Sequence, residues 1–317
     1  GESTFSLDDI QQDPNVSWSD YTRGMAKVMQ DAGHELQGFD GLIHSNIPFG
    51  SGLSSSAAIE MATAVTFQQI GNLTLTPLEM ALFGQRAENE FVGVSTGILD
   101  QYSSALGEAG VAIVLDCRHL TSKISPIADG LAIVICDTRA ERKLAGSEYD
   151  DRRRQCEEGV RILQHHYPEI EALRDATLQQ FEAYQSEMSD LVAKRSRFII
   201  EENQRVLDLA TALSRGDLAM LDRLYTDSYN GACDLFEIGA PAMSAMINAM
   251  RSAPGVVAAR QTGAGFGGCM VALVKENALA DFSTHIEAVY EAKTGLQPRI
   301  FAVVAAAGAG KLEEKTL

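Results

Sequence analysis

The sequence has few cysteines, and their number and spacing bear on disulfide bonds and zinc binding. Five cysteines occur in 317 residues, at widely separated positions and without a CxxC pair. An odd number at such spacings argues against both a disulfide framework and a zinc site. We therefore expect a protein of a reducing compartment, with a cytoplasmic location.

Basic residues are also few. The chain has 26 Lys and Arg against 43 Asp and Glu, so its formal net charge is −17. A surface of this charge repels nucleic-acid backbones, and we expect no nucleic-acid partner. A phosphate group must then be held locally, by backbone N–H groups and a metal ion rather than by a broad basic face.

Long apolar runs are missing as well. Runs such as residues 131–136 and 301–307 fall well short of the roughly 18 residues that a membrane helix needs. The N-terminal stretch GESTFSLDD is polar and acidic, unlike a signal peptide. We therefore expect no membrane partner.

The order of the predicted helices and strands indicates two domains. The apolar pattern restarts after Pro126, so we place one domain at residues 1–128 and a second at residues 129–317. Helices and strands mix without strict alternation, which favours an α+β fold over a doubly wound parallel sheet.

Local patterns predict three elements of the first domain. Residues 1–35 are predicted to be helical, and residues 41–46 to form a short strand. Thr76, Pro77 and Glu79 are typical of a helix start, because Pro is favoured at the first helical position and Glu can close a capping box with Thr76.

Residues 48–58, PFGSGLSSSAA, lie between a predicted strand and a predicted helix. Gly50 and Gly52 let the backbone approach a ligand closely. Three serines follow at the helix start, where unpaired N–H groups and the positive end of the helix dipole favour an anion. The segment predicts a phosphate-binding loop, with an ordinary serine-capped helix as the alternative. It is not a Walker A loop, because no Gly-Lys-Ser/Thr follows.

Two acidic residues are candidates for catalysis. On one straight helix, Glu88 and Asp100 would lie ~18 Å apart. Gly93 and Gly97 interrupt the helix, so the chain can turn back. Asp100 would then lie in the first turn of the next helix, where the dipole favours the carboxylate and keeps it available as a proton acceptor. Taken alone, each residue could equally be a solvated acid.

A second glycine-rich stretch, residues 263–268, fits the GxGxxG pattern of a dinucleotide-binding loop. A Rossmann loop requires a helix to follow, whereas residues 269–274 (CMVALV) have the composition of a strand. An NAD-dependent enzyme is therefore a weak alternative.

The sequence resembles the GHMP small-molecule kinases, and within that group it is most similar to the galactokinases. Residues 48–58 look like the second signature motif of the group, and residues 261–269 like the third. Further similar segments, which extend the resemblance over nearly the whole chain, are WSDY at 18–21 and residues 86–104, 115–120 and 147–158.

The resemblance implies a fold, a reaction and a set of site residues. The fold is the two-domain GHMP kinase fold with mixed sheets, an ATP-binding domain at residues 1–128 and a C-terminal domain at 129–317. The reaction is the ATP-dependent phosphorylation of a monosaccharide at its anomeric hydroxyl, most simply galactose to galactose 1-phosphate. Asp100 is the implied base, and Ser56 and Glu88 are the implied ligands of Mg²⁺. The implied nucleotide-binding residues are Trp18, Gly50, Ser51, Gly52, Leu53, Ser54, Ser55 and Ser56, and the implied sugar contacts are Gly97, Asp100 and Tyr149.

Two alternatives of the same scaffold stay open: a non-catalytic sensor of sugar or nucleotide, and a GHMP kinase for another sugar. The chain also departs from the galactokinases in places. It has Ala264 where the family carries Gly, and Glu141 where the family carries a basic residue.

The family's N-terminal signature, Gly-Glu-His-Thr-Asp-Tyr, has no match in the sequence. We therefore expect an incomplete N-terminal lobe: the chain is a fragment, or that segment belongs to another chain, or the chain is not active alone. In each case an exposed sheet edge or apolar face is expected in the first domain.

Overall fold

The computed structural model describes residues 1–140, 145–263 and 265–312. They form two compact units. The first comprises Gly1–Phe49, Ser54–Lys123 and the stretch from Ala305, and the second comprises Gly50–Leu53 and Ile124–Val304. A single boundary at residue 128 does not predict that Gly50–Leu53 groups with the second unit or that the stretch from Ala305 groups with the first. The domain limits 1–128 and 129–317 stay a prediction.

The first unit is mainly helical. Buried methionine, alanine and phenylalanine side chains, including Met25, Met29, Met61 and Phe67, fill its core. Its elements are α1 (Ser19–Asp31), α2 (Ser55–Gly71), α3 (Pro77–Arg86), a π-helix (Ala87–Val92), α4 (Leu99–Leu106) and β1 (Val111–Asp116), which pairs with β2 (Thr121–Pro126).

The predicted start of α3 is confirmed. The Thr76 hydroxyl accepts a hydrogen bond from the Glu79 backbone N–H at 3.2 Å, and the Glu79 carboxylate accepts one from the Thr76 backbone N–H at 2.7 Å. Pro77 occupies the first turn. The helix therefore begins where local chemistry alone satisfies its N–H groups.

The second unit has a four-stranded sheet with helices packed on it. In the sheet order β4-β5-β3-β6, each pair is antiparallel. Helices α9 and α10 cover the sheet with apolar side chains such as Met246, Met250 and Phe282. The elements are β3 (Leu131–Asp137), α5 (Ala145–Gln164), α6 (Leu178–Tyr184), α7 (Asp190–Arg215), α8 (Leu218–Asp234), α9 (Pro241–Ser252), β4 (Val256–Gln261), β5 (Cys269–Lys275), α10 (Leu279–Thr294) and β6 (Arg299–Val303).

Three local predictions are wrong. The four-stranded sheet is antiparallel rather than mixed: a short connection joins β4 to β5, and β3 runs antiparallel to both of its neighbours, β5 and β6. Helix α1 begins at Ser19 rather than near residue 1, since Pro14 disfavours helical backbone before it. Residues 41–46 are irregular, with Leu42 96% exposed, because no neighbouring strand in the described residues supplies ladder hydrogen bonds.

A groove with several exposed apolar side chains among polar ones lies in the first unit, and it is called the apolar groove below. It has a volume of about 760 Å³. Its apolar lining includes Phe5, Trp18, Phe39, Leu42 and Phe67. No helix among the described residues is long and apolar enough to cross a membrane.

Candidate active site

The start of helix α2 has an unusual backbone at Ser54. This residue adopts the left-handed conformation, with φ 55° and ψ 41°, which is uncommon for a residue with a side chain. Its hydroxyl does not cap the helix. Instead, the Ser54 hydroxyl donates a hydrogen bond to the carboxylate of Asp100. The first turn of α2 thus has no side-chain cap, which suits an anion such as phosphate.

Residues Gly50–Leu53 are supported by the glycine-rich stretch of the second unit. The Cys269 backbone N–H donates to the Ser51 carbonyl at 2.8 Å. Gly268 has φ +87°, and a Cβ atom built on it would lie 2.3 Å from that carbonyl oxygen. The stretch is followed by strand β5, not by a helix, so the dinucleotide-binding alternative is wrong.

We expect Gly268→Ala to weaken ATP binding, because the new methyl group would displace Ser51. The left-handed backbone and the clash together should lower the free energy of unfolding by about 2 kcal/mol or more. The matched control is Gly130→Ala, which has φ +76° and open space around the added Cβ. Urea unfolding and calorimetry with a non-hydrolysable ATP analogue would check this. Equal analogue affinity in the two variants would contradict it.

Glu88 is positioned by the π-helix and the chain after it. The backbone N–H groups of Gly93 and Val94 both donate to the Glu88 carbonyl, at 2.9 and 3.0 Å. The Glu88 side chain is buried, and its Oε2 accepts hydrogen bonds from Thr96 Oγ1 at 2.6 Å and Gln101 Nε2 at 2.8 Å. Oε1 accepts no hydrogen bond from the described residues. One carboxylate oxygen is therefore fixed by the protein and the other is available to a ligand.

Asp100 lies in the first turn of α4, as predicted from the glycines before it. Reduced hydration around its carboxyl group raises its pKa above the ordinary value of 3.8, and the nearby Glu88 charge raises it further. The hydrogen bond from Ser54 acts in the opposite direction. An aspartate with these neighbours is a stronger proton acceptor than one in water.

Glu60 is a third carboxyl group in the same region. It projects from α2 into the interior and is 0% exposed. Its Oε2 accepts a hydrogen bond from Gln101 Nε2 at 3.0 Å. Burial, followed by the charge of Glu88, raises the pKa of Glu60 to about 9. Glu60 therefore carries a proton at neutral pH.

The structure brings some predicted site residues together and leaves others apart. Asp100 contacts Ser54. Glu88 accepts a hydrogen bond from Gln101, which directly follows Asp100. Ser55 and Ser56 lie at the start of α2 and are half-buried, and in the described part of the chain Ser56 has no hydrogen bond with Glu88. Gly97 is exposed, with open space where a Cβ would lie.

Trp18 precedes α1 and borders the apolar groove, where it is 38% exposed. In the described part of the chain, it has no hydrogen bond or ring contact with the acidic cluster formed by Glu60, Glu88 and Asp100. The Tyr149 side chain, Ala264 and Glu141 lie outside the described residues, so their predicted significance stays a prediction.

Sequence reasoning missed Glu60, Thr96 and Gln101. Each had a signal. Glu60 follows Ser56 by four residues, which places both on one face of α2. Gln101 directly follows the candidate base, and Thr96 lies between the two glycines that reverse the chain.

The chemistry of this region fits a magnesium ion that arrives with a nucleotide. The described residues contain no group of three His, Cys, Asp or Glu side chains that could hold a metal ion by themselves. Mg²⁺ commonly takes one or two carboxylates and completes its shell with water and substrate phosphates. The available Oε1 of Glu88 is a donor of this type.

Comparison with known proteins defines the class. Residues 20–108 match the family model described as GHMP kinases N terminal domain, and residues 209–292 match GHMP kinases C terminal. The fold is similar to that of Methanococcus jannaschii mevalonate kinase, with a TM-score of 0.57 at 18% identity over 94% of this chain and 79% of that chain. At that identity, the likeness concerns the fold alone.

Two galactokinases are more similar. The chain is 40% identical to a galactokinase of Roseiflexus sp. strain RS-1 over 98% of this chain and 79% of that protein. The crystal structure of Lactococcus lactis galactokinase complexed with galactose gives a TM-score of 0.90 and 32% identity, and covers 97% of this chain and 80% of that chain. The chain therefore belongs to the galactokinases of the GHMP kinase family. The predicted resemblance, the two-domain α+β fold and the prediction of an ATP-dependent sugar kinase are confirmed.

Proposed function

We propose that the protein transfers the terminal phosphoryl group of ATP to the anomeric hydroxyl of galactose. The observation that carries this proposal is the hydrogen bond from Ser54 to Asp100. It joins the uncapped N-terminus of α2, which suits phosphate, to a carboxylate that can accept a proton. A sugar kinase needs these two groups within one substrate length of each other.

Asp100 is the proposed general base. Its carboxylate accepts the proton of the anomeric hydroxyl as the sugar oxygen attacks the terminal phosphorus atom of ATP, and ADP leaves. Gly97 leaves room for the sugar beside it, and Tyr149 is a further proposed sugar contact. Because phosphoryl transfer depends mainly on positioning and charge stabilisation, one base with a phosphate-binding loop is a sufficient protein contribution.

Residues 50–56 are proposed to bind the phosphates of ATP, with Trp18 beside the adenine. The support is the local backbone: Gly50 and Gly52 have positive φ, and the α2 N–H groups follow directly. Ser56 and Glu88 would hold Mg²⁺. When bound, the ion neutralises charge on the phosphates.

The proposal extends to a polypeptide segment that covers the apolar groove. Galactokinases carry an N-terminal signature segment that this sequence does not match, and the groove exposes residues such as Leu42 and Ile43. We propose that such a segment contacts these residues. The activity of the chain is therefore to be measured alone and with the segment supplied.

ADP release with a panel of sugars tests the proposed function. Galactose should stimulate turnover more than other hexoses, arabinose or galactosamine derivatives. Turnover with another sugar alone would identify a different kinase of this family. Nucleotide binding without any sugar-stimulated turnover, with the segment present, would instead favour the non-catalytic sensor.

The pH dependence of catalysis should follow Asp100. Because its pKa is raised above 3.8, the base becomes protonated, and kcat/KM for galactose falls, at a higher pH than for an aspartate with the ordinary pKa. A pH profile of kcat/KM checks this, with circular dichroism at each pH to verify that the protein stays folded. An acid limb at or below pH 3.8 would contradict the prediction.

A further inference from the structure

The side-chain amide of Gln101 joins two carboxyl groups. Gln101 is 0% exposed, and its Nε2 donates to Glu60 Oε2 at 3.0 Å and to Glu88 Oε2 at 2.8 Å. Both hydrogen atoms of this nitrogen are thereby used. A reversed amide would place its carbonyl oxygen against two carboxyl oxygens. The two contacts therefore fix the orientation of Gln101.

The Glu88 carboxylate accepts hydrogen bonds from the described residues at one oxygen only. Thr96 Oγ1 donates to the same Oε2 that accepts from Gln101, at 2.6 Å. Two donors to the same oxygen restrict rotation of the carboxylate, and Oε1 accepts no hydrogen bond from the described residues. This asymmetry is what a metal-binding carboxylate requires from its neighbours.

Helix α3 leaves space for this arrangement at Gly84. A Cβ atom there would lie 3.0 Å from Gln101 Cγ and 3.0 Å from Glu60 Oε2. Glycine in a helix interior lowers helix stability by roughly 1 kcal/mol relative to alanine. Gly84 thus lowers the stability of α3 but leaves room for the contact between Gln101 and Glu60.

The arrangement is also unfavourable for stability. Glu60 Oε1 and Gln101 Oε1 are buried without a hydrogen-bond partner. Such atoms lose their hydration on folding and gain nothing in return. The side chains around Glu60 on α2 include Ala57, Met61 and Ala64, so an apolar residue would suit the position better. The benefit of the carboxyl group therefore lies outside stability.

We propose that Gln101 and Glu60 are positioning residues for Glu88. Glu60 holds Gln101 in place, Gln101 holds Oε2 of Glu88, and Oε1 is left for the magnesium ion of the nucleotide. This inference rests on the proposed function, because it takes Glu88 as a magnesium ligand. Glu60 itself touches neither substrate.

The test uses Mn²⁺ as a probe of the metal site. Binding of Mn²⁺ to the full chain with a non-hydrolysable ATP analogue is followed by electron paramagnetic resonance. Gln101→Met and Glu60→Met should each weaken Mn²⁺ binding about 10-fold or more. The control Glu60→Gln keeps the acceptor oxygen for Gln101 and should stay within about 2-fold of the wild-type protein.

Two further readouts separate positioning from a structural role. Glu60→Met should have a Tm equal to or above that of the wild-type protein, because it removes a buried polar group. In Gln101→Met and Glu60→Met the KM for galactose should change less than the apparent affinity for Mg²⁺. A lower Tm with equal losses for metal and sugar would overturn the proposal.

Glu88→Gln distinguishes the two ways of failing. If Glu88→Gln loses Mn²⁺ affinity while Gln101→Met and Glu60→Met retain it, the positioning role is wrong and the proposed metal site stands. If Glu88→Gln also retains full affinity, the proposed metal site is wrong, and the positioning role with it.

Discussion

Replacing Asp100 by asparagine is expected to slow sugar-stimulated ADP release by at least two orders of magnitude. The amide has nearly the same size as the carboxylate but cannot accept the proton of the sugar hydroxyl. General base catalysis contributes roughly 10²- to 10⁴-fold, and we expect kcat to fall by a factor in this range. ATP binding should change little, because the start of α2 and residues 50–53 are intact. Single-turnover kinetics and calorimetry with an ATP analogue would measure the two effects separately.

Glu108→Gln is the matched control for this prediction. Glu108 is an exposed acid in the irregular segment after α4, so the same change of charge occurs near the same helix without touching the acidic cluster. It should keep wild-type turnover. Full turnover in Asp100→Asn, measured with galactose and with the N-terminal segment supplied, would exclude Asp100 as the base.

Glu88→Gln is expected to have the second large effect. The glutamine can still accept the hydrogen bonds from Thr96 and Gln101, but it has no negative charge for the cation. We expect kcat at moderate Mg²⁺ concentration to fall about 100-fold, since loss of metal-site groups typically costs 10- to 100-fold in affinity or activity. A titration of activity with Mg²⁺ at fixed ATP should show a shift to higher concentration.

The π-helix supplies a control for Glu88 as well. Glu90 lies two residues further on, is exposed and forms an ion pair with Arg86 at 3.0 Å. Glu90→Gln should leave the Mg²⁺ titration unchanged, because an exposed pair of this kind contributes little. An identical Mg²⁺ titration for Glu88→Gln and the wild-type protein would rule out Glu88 as a ligand.

Local chemistry allowed part of the structure to be predicted from the sequence. The capping box at Thr76 and the place of Asp100 in the first turn of α4 depend on neighbours within a few residues. These neighbours are visible in the sequence. The family membership was predictable for a different reason, because several motifs occur in the same order.

The missed features depend on residues that are distant in the sequence. Glu60 meets Gln101 across 41 positions. Each residue lies near a predicted site residue in the sequence, but neither position indicates that the two side chains contact each other. The wrong strand at residues 41–46 has the same cause, since apolar composition cannot reveal whether a neighbouring strand is present. The close approach of the Gly268 backbone to Ser51 could not be predicted either, because a short backbone distance has no sequence signature beyond the glycine itself.

The burial of Glu60 couples folding to proton uptake. Its pKa rises from 4.5 to about 9 on folding, so between these values the unfolded chain has an ionised Glu60 and the folded chain a neutral one. Through this group the folded state is most stable relative to the unfolded state below pH 4.5, and this advantage is lost progressively as the pH rises through 9. The ionisation of Glu60 thus makes the native state more sensitive to alkali than to mild acid.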